Sequence, residues 1–243
     1  MKSLKLYIPE TWDKMKEKQF ERIAFLFNTS ETNTLFYIKL FFLLTGVKWW
    51  QFSRKAKLRI VLRNYPLSDL QKNYEFIFKE NNRTVFPKSI KFKKKKFFPP
   101  QNNIADLSAD EFAVADDLHI KWRKTKNIEF LYYLAAVLYT VSKERPVFNK
   151  NNLHQYAIPF SKLPVCKLLA IELAYFGCKN NLVKRFSEAF KENKTRSNKK
   201  QYGFSKVILS MAKGDLSKLE SIKKVNIYSF LEQFEEDLKS AKK

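Results

Sequence analysis

The residues of this chain that could perform acid–base chemistry are two histidines, His119 and His154, on separate segments. His119 follows Asp116 and Asp117 on a predicted helix, so a carboxylate could orient its ring as a general base. The pattern is more typical of a surface histidine near a helix end, and we favour that interpretation. Nucleophile-elbow, phosphate-loop, dinucleotide-binding and His-Glu-x-x-His patterns do not occur in the sequence. The sequence therefore predicts a protein that is not an enzyme.

Five carboxylates lie close together in the middle of the chain: Asp106, Asp110, Glu111, Asp116 and Asp117. Clustered carboxylates can hold Mg²⁺. However, Glu111 completes a helix capping box with Ser108, and Asp110 would stabilise the helix dipole. We therefore expect neither a metal nor a cofactor. Asp110, Asp116 and Asp117 are interpreted as a patch that complements a basic surface, within the chain or on a neighbouring subunit.

Two lysine-rich segments could bind an anion. The first is interleaved with Phe92, Phe97 and Phe98, and its cations are Lys88, Lys91, Lys93, Lys94, Lys95 and Lys96. The cations of the second are Lys184, Arg185, Lys191, Lys194, Arg196, Lys199 and Lys200. Ammonium groups neutralise phosphates and aromatic rings stack on bases, and the excess of Lys over Arg suits nonspecific phosphate contact. Solvated basic loops without a partner are the equal alternative.

The balance of charge supports an anionic partner. The 243 residues hold 47 Lys and Arg against 24 Asp and Glu, a formal charge of +23, with only four glycines. Such a charge indicates an anionic partner or an assembly that offsets the repulsion. Few glycines leave little material for phosphate-cradling loops. A bias toward Lys, Asn, Phe and Ile also fits an AT-rich genome, so codon drift is an alternative source of the lysines.

The cysteines and the apolar runs predict a cytosolic protein without a membrane span. Cys166 and Cys178 lie on one apolar segment, where buried free thiols are common, although a disulfide stays an alternative. The N-terminal residues lack the apolar region of a signal peptide. The most apolar runs, residues 35–46 and 165–178, are shorter than the roughly 20 residues that a spanning helix needs.

Hydrophobic periodicity predicts a mainly α fold, a multi-helix bundle with a small two-stranded β element in the N-terminal half. Strands are expected at residues 3–8 and 83–92, which could pair with each other. Thr32 or Thr34 could cap the second helix, Ser68 the next one, and Gly46 and Gly177 could end helices. The expected helices are residues 10–28, 35–45, 69–80, 109–124, 127–140, 161–176, 181–190, 204–213 and 216–238.

The same pattern divides the chain into two helical domains, residues 1–141 and 153–243. Residues 142–152 are polar, contain Pro146, and are the expected linker. Trp49 and Trp50 could form an exposed anchor for a protein partner, since tryptophan is a frequent hot spot. Packing of these two rings between the first helices is the interpretation we favour.

Three stretches together resemble a known family. The first is Leu4-Lys5-Leu6-Tyr7-Ile8-Pro9-Glu10-Thr11-Trp12, followed by Gln19-Phe20. The second runs from Ala109-Asp110-Glu111-Phe112 to Asp116 and continues with residues 132–139. The third comprises residues 204–219, with Ser210-Met211-Ala212-Lys213-Gly214-Asp215, and residues 228–231. This pattern resembles the tail assembly chaperones and related minor structural proteins of tailed phages and contractile particles.

The resemblance implies a helical, non-enzymatic protein that binds helices of the tape-measure protein or other particle components. Its location would be the cytoplasm of the bacterial host or the virion. The strong positive charge departs from the family pattern and leaves room for a virion component that meets DNA or an acidic protein ring. The sequence thus predicts a particle assembly or structural protein, with a nonspecific nucleic-acid-binding protein as the alternative. Oligomer formation is left open.

Overall fold

A computed structural model describes residues 6–47, 50–190, 204–212 and 215–240. These residues form a mainly α structure with one two-stranded antiparallel sheet, as predicted. The helices are α1 (Glu17–Thr29), α2 (Thr34–Leu44), α3 (Phe52–Asn64), α4 (Leu67–Gln71), α5 (Ala109–Thr125), α6 (Glu129–Leu138), α7 (Leu153–Ala157), α8 (Val165–Arg185), α9 (Ser205–Met211), α10 (Leu216–Lys224) and α11 (Ile227–Ser240). The strands are β1 (Ile90–Phe92) and β2 (Lys95–Phe97).

The hydrophobic core is centred on α8, which packs against α1 and α6, while α5 packs against α6. Phe20 and Ile23 of α1 and Ala174 and Tyr175 of α8 are fully buried. Buried side chains before and after residues 142–152 belong to one cluster. Each large apolar side chain that is fully buried stabilises the fold by roughly 1.5–3 kcal/mol.

Helix α8 is continuous from Val165 to Arg185, so the predicted break at Gly177 is wrong. Gly177 instead allows the chain at Asn81 and Arg83 to approach the helix. A Cβ atom at residue 177 would lie 2.7 Å from Asn81 Oδ1 and 2.8 Å from the backbone of Arg83. The glycine is therefore needed for a close contact and not for a helix end.

Local capping explains where α2 begins and ends. Its N-cap is Asn33, whose side chain accepts a hydrogen bond from the Phe36 N–H, so the predicted caps Thr32 and Thr34 are wrong. Gly46 follows the helix with φ of 64°, which confirms the predicted C-terminal glycine. Gln19 Nε2 donates to the carbonyls of Leu43 and Leu44 and ties α1 to this end of α2.

The predicted helix over residues 69–80 is shorter and interrupted. Helix α4 follows Pro66, not a Ser68 cap, and leads into a 3₁₀ turn, Lys72–Ile77. Tyr74 leaves the helical region at φ of −141°, and its ring is fully buried against Phe41 and Phe78. Burial of this ring therefore overrides the helical periodicity.

Helix α5 begins at the capping box predicted from the sequence, and its start is hydrogen-bonded to the segment between α10 and α11. Ser108 and Glu111 form the predicted capping box. The Ala109 N–H donates to the Val225 carbonyl, and the Ile227 N–H donates to the Leu107 carbonyl. These bonds divide the predicted helix 216–238 into α10 and α11.

The sheet is formed by a different pair of strands from the predicted one. Strand β1 pairs with β2, so residues 93–94 form a two-residue turn. Residues 6–8 are not in a strand, and residues 3–5 lie outside the described residues. A turn of two residues closes a hairpin at a far lower entropic cost than pairing with a distant segment.

The predicted linker contains a buried anchor. Arg145 donates from Nε to Asp106 and from Nη1 to Glu111, at 3.0 and 2.9 Å, and also to the carbonyls of Val137 and Leu138. The division into residues 1–141 and 153–243 stays a prediction. Within the described part of the chain, no helix has the length and apolar character that crossing a membrane requires.

Candidate functional site

The lysine hairpin, residues 88–98, projects cations from a buried base. Phe97 is 3% exposed, and its ring lies 5.2 Å from that of Phe160. The Phe98 N–H donates to the Thr140 carbonyl over 2.7 Å, and the Thr140 N–H returns a bond of 3.0 Å. The hairpin is therefore held in place just after α6.

The register of the hairpin places like charges together. Lys91 lies directly opposite Lys96, on the face that alternates with buried Phe97. Like charges in this position destabilise a sheet by roughly 0.2–1 kcal/mol. Lys96 Nζ also lies 4.9 Å from the centroid of the half-buried Phe98 ring. The outer face of the hairpin therefore combines cations with an aromatic ring.

None of the six hairpin lysines forms an ion pair with a carboxylate of the described residues, and all six are exposed. A carboxylate does contact the backbone of this segment: the Lys88 N–H donates to Glu17 Oε1 over 2.9 Å. The Lys88 ammonium and those of the turn remain available to an external anion.

The second basic cluster is only partly described. Lys184 pairs with Glu80 at 2.7 Å, and Arg185 pairs with Glu232 at 3.2 Å and stacks on Tyr228. Both cations are therefore engaged within the chain. The remaining members lie outside the described residues: Lys191, Lys194, Arg196, Lys199 and Lys200.

The acidic residues also have partners inside the chain. Asp116 pairs with Lys179 of α8, and Asp117 accepts a hydrogen bond from Ser205. Burial raises the pKa of Asp110 above its usual range, against the opposing effect of Lys223. No group of three potential metal ligands occurs in the described ranges. The acidic patch thus makes contacts within the chain at Asp116 and Asp117.

His119 is buried, so its interpretation as a surface histidine is wrong. It is 5% exposed, and Nε2 lies 3.0 Å from Oε1 of Glu172, a residue 53 positions away on α8. Arg123 Nε lies 2.7 Å from the same oxygen. The three side chains join α5 to α8 around the buried Glu172 carboxylate, while the Arg123 side chain is 40% exposed. His154, in contrast, bonds Tyr133 through Nδ1 on the surface.

The two tryptophans are not both in the core. Trp50 is 53% exposed, so the prediction that its ring packs in the core between the first helices is wrong. Trp49 lies outside the described residues. The two cysteines are free thiols, which agrees with the interpretation favoured from the sequence. Burial raises the pKa of the Cys178 thiol to about 12.

A basic cleft of about 740 Å³ escaped the sequence reasoning. It lies where α1 begins, α2 ends and α3 begins, and Lys16, Lys18, Arg22 and Arg54 line it. One signal was visible in the sequence, since α3 contains five cations and no carboxylate. The cations from α1 could not be assigned to the cleft without the packing of the helices.

An apolar groove of about 720 Å³ lies on the other side of Arg22, between α1, α2 and the start of α8. Phe25, Ile38, Phe42 and Val165 contribute to its lining, and Phe25 is 44% exposed. Its dimensions and apolar lining suit side chains of an amphipathic helix.

Comparison of the chain with protein-family models, curated proteins and solved structures gives no match. The function is therefore proposed from the sequence and structure of this chain.

Proposed function

We propose that this protein is a non-enzymatic nucleic-acid-binding protein that contacts phosphates through the lysine hairpin. The observation that carries the proposal is the set of six exposed hairpin lysines without a carboxylate partner among the described residues. Opposed Lys91 and Lys96 cost stability in the free protein, and a bound polyanion would remove that repulsion.

The lysines suit phosphate contact more than base reading. An ammonium group is a compact charge without the fork geometry by which arginine recognises guanine. The half-buried rings of Phe92 and Phe98 lie beside these cations and offer apolar contact. Binding should therefore depend strongly on salt and weakly on sequence.

The test is a salt titration with labelled DNA. The variant Lys93→Gln, Lys94→Gln, Lys95→Gln, Lys96→Gln removes four hairpin charges. A matched control removes four exposed lysines that have acidic partners, through Lys14→Gln, Lys72→Gln, Lys79→Gln and Lys218→Gln. Each neutralised phosphate contact contributes about 0.9 to the slope of log K against log salt on duplex DNA, so the hairpin variant should lower the slope more than the control.

Equal losses in the two variants would mean that net charge alone decides the affinity, as codon drift would produce. Absence of binding by the wild-type protein even at low salt would overturn the proposal.

A second candidate function, a phage or phage-like particle assembly or structural protein, is favoured by the apolar groove. In this proposal the groove takes an amphipathic helix of a particle protein, and Arg22 and Lys39 at its rim attract acidic flanks of that helix. The sequence resemblance supports the same role, in the bacterial cytoplasm or the virion.

The groove is tested by co-purification at a salt concentration that abolishes DNA binding. A helical particle protein should remain bound to the wild type and to Leu216→Ser, a control at a side chain 75% exposed on α10. Phe25→Ser should lose it. Retention by Phe25→Ser would exclude the groove as the docking surface.

A further inference from the structure

The basic cleft gathers cations from two helices that are separate in sequence. Lys16 and Lys18 lie at the start of α1, Arg22 lies one turn further, and Arg54 comes from the first turn of α3. All four side chains belong to exposed residues, and none pairs with a carboxylate in the described ranges. Their potentials add in the concave space between them.

The carboxylate that lines this cleft, Glu17, is already engaged. Its Oε1 accepts the hydrogen bond from the Lys88 N–H at the base of the lysine hairpin. This contact also places the cleft beside the hairpin, so one bound chain could reach both.

Two exposed aromatic side chains complete the cleft. Tyr7 is 63% exposed and Trp50 is 53% exposed, although large rings usually bury much of their surface. A flat ring next to cations is the arrangement by which proteins stack a base and hold its phosphates.

We propose that the cleft binds a single-stranded nucleic-acid segment, with phosphates on Lys16, Lys18 and Arg54 and a base stacked on Trp50. A duplex is excluded as the ligand of the cleft because its bases are stacked on one another and cannot turn toward a ring in a concavity. The inference rests on the proposed function and deepens it, since it names the form of nucleic acid recognised.

The experiment uses the full chain with labelled oligo(dT) and a duplex of equal length. Anisotropy should show binding of oligo(dT) roughly tenfold tighter than of the duplex. Oligo(dT) should also quench the tryptophan fluorescence. Trp50→Phe should remove most of the quench and keep the affinity within a few-fold, because phenylalanine still stacks.

Two further variants separate stacking from charge. Trp50→Leu should weaken oligo(dT) binding roughly tenfold and leave duplex binding unchanged, as expected for one lost stacking contact. Tyr65→Leu is the control, since this ring is 60% exposed but lies outside the cleft. The combination Lys16→Gln, Lys18→Gln, Arg54→Gln should reduce the single-strand preference while thermal unfolding stays cooperative.

The outcomes distinguish the cleft from the hairpin. Equal affinity for single strand and duplex, or an unchanged quench in Trp50→Phe, would overturn the cleft while the hairpin variant still lost binding. No binding of either oligonucleotide at low salt would overturn both. Loss of binding in the cleft variants alone would support the cleft and exclude the hairpin.

Discussion

Arg123 Nε of α5 lies 2.7 Å from Oε1 of Glu172, a fully buried residue of α8. His119 Nε2 lies 3.0 Å from the same oxygen, and the other oxygen, Oε2, is buried without a hydrogen-bond partner among the described residues. A buried carboxylate needs such partners because removal from water strongly disfavours its charge.

Arg123→Met should therefore destabilise the protein by about 2–4 kcal/mol, since it leaves Glu172 buried with His119 as its remaining partner. Lys72→Met is the control, because the Lys72–Asp69 pair is exposed to solvent and should contribute little to stability. Urea unfolding followed by circular dichroism measures both. Similar losses in the two variants would contradict a structural role for the contacts around the buried Glu172 carboxylate.

Gly177→Ala should destabilise the protein by about 1–3 kcal/mol through overpacking. The added methyl group would meet the backbone of Arg83 at 2.8 Å, and backbone cannot rotate away as a side chain can. In a helix without such a neighbour the same change stabilises by about 1 kcal/mol. The sign of the change in the unfolding midpoint distinguishes the two effects. A gain in stability would contradict the close contact between Gly177 and the backbone of Arg83.

The two thiols should differ in reactivity. Burial raises the pKa of Cys178 to about 12, so almost no thiolate forms there at neutral pH, whereas Cys166 is half-buried. A thiol reagent should label one site in the folded protein and two in denaturant. Cys166→Ser should abolish labelling of the folded protein, and rapid labelling of this variant would show that Cys178 is accessible.

Arg145→Lys should still destabilise the protein by about 2–4 kcal/mol, although the charge is kept. The guanidinium binds Asp106, Glu111 and two carbonyls at once, and an ammonium group cannot reproduce that fork. Lys143→Met, at an exposed position two residues earlier, should change stability by less than about 0.5 kcal/mol. Thermal unfolding measures both variants. Equal unfolding midpoints would contradict the role of Arg145 as an anchor.

Two local signals in the sequence predicted local structure correctly, whereas the helix caps expected at Thr32 or Thr34 and at Ser68 are wrong. The Ser108–Glu111 capping box and the glycine after α2 were recognisable because each acts within a few residues. His119 and Gly177 were misinterpreted because their partners, Glu172 and the segment at Arg83, are distant in sequence. Periodicity cannot specify which segment packs on a given face.

Of the two candidate nucleic-acid sites, one was visible in the sequence and the other was not. The lysine hairpin was visible as a run of cations with interleaved phenylalanines, although its pairing of β1 with β2 was not. The cleft required helix packing, because Lys16 and Arg54 meet only once α1 and α3 are in place. A cluster of charges from separate helices has no periodic signature in the chain.

The bonds that divide α10 from α11 have a consequence for synthesis. Asn226 Nδ2 donates to the Ala105 carbonyl from 121 residues away, next to the bonds that complete the first turn of α5. A ribosome needs on the order of ten seconds to make that length of chain. During that interval the Ala109 N–H at the start of α5 lacks its acceptor, the Val225 carbonyl. A chain released from the ribosome before residue 225 is added would therefore lack this hydrogen bond.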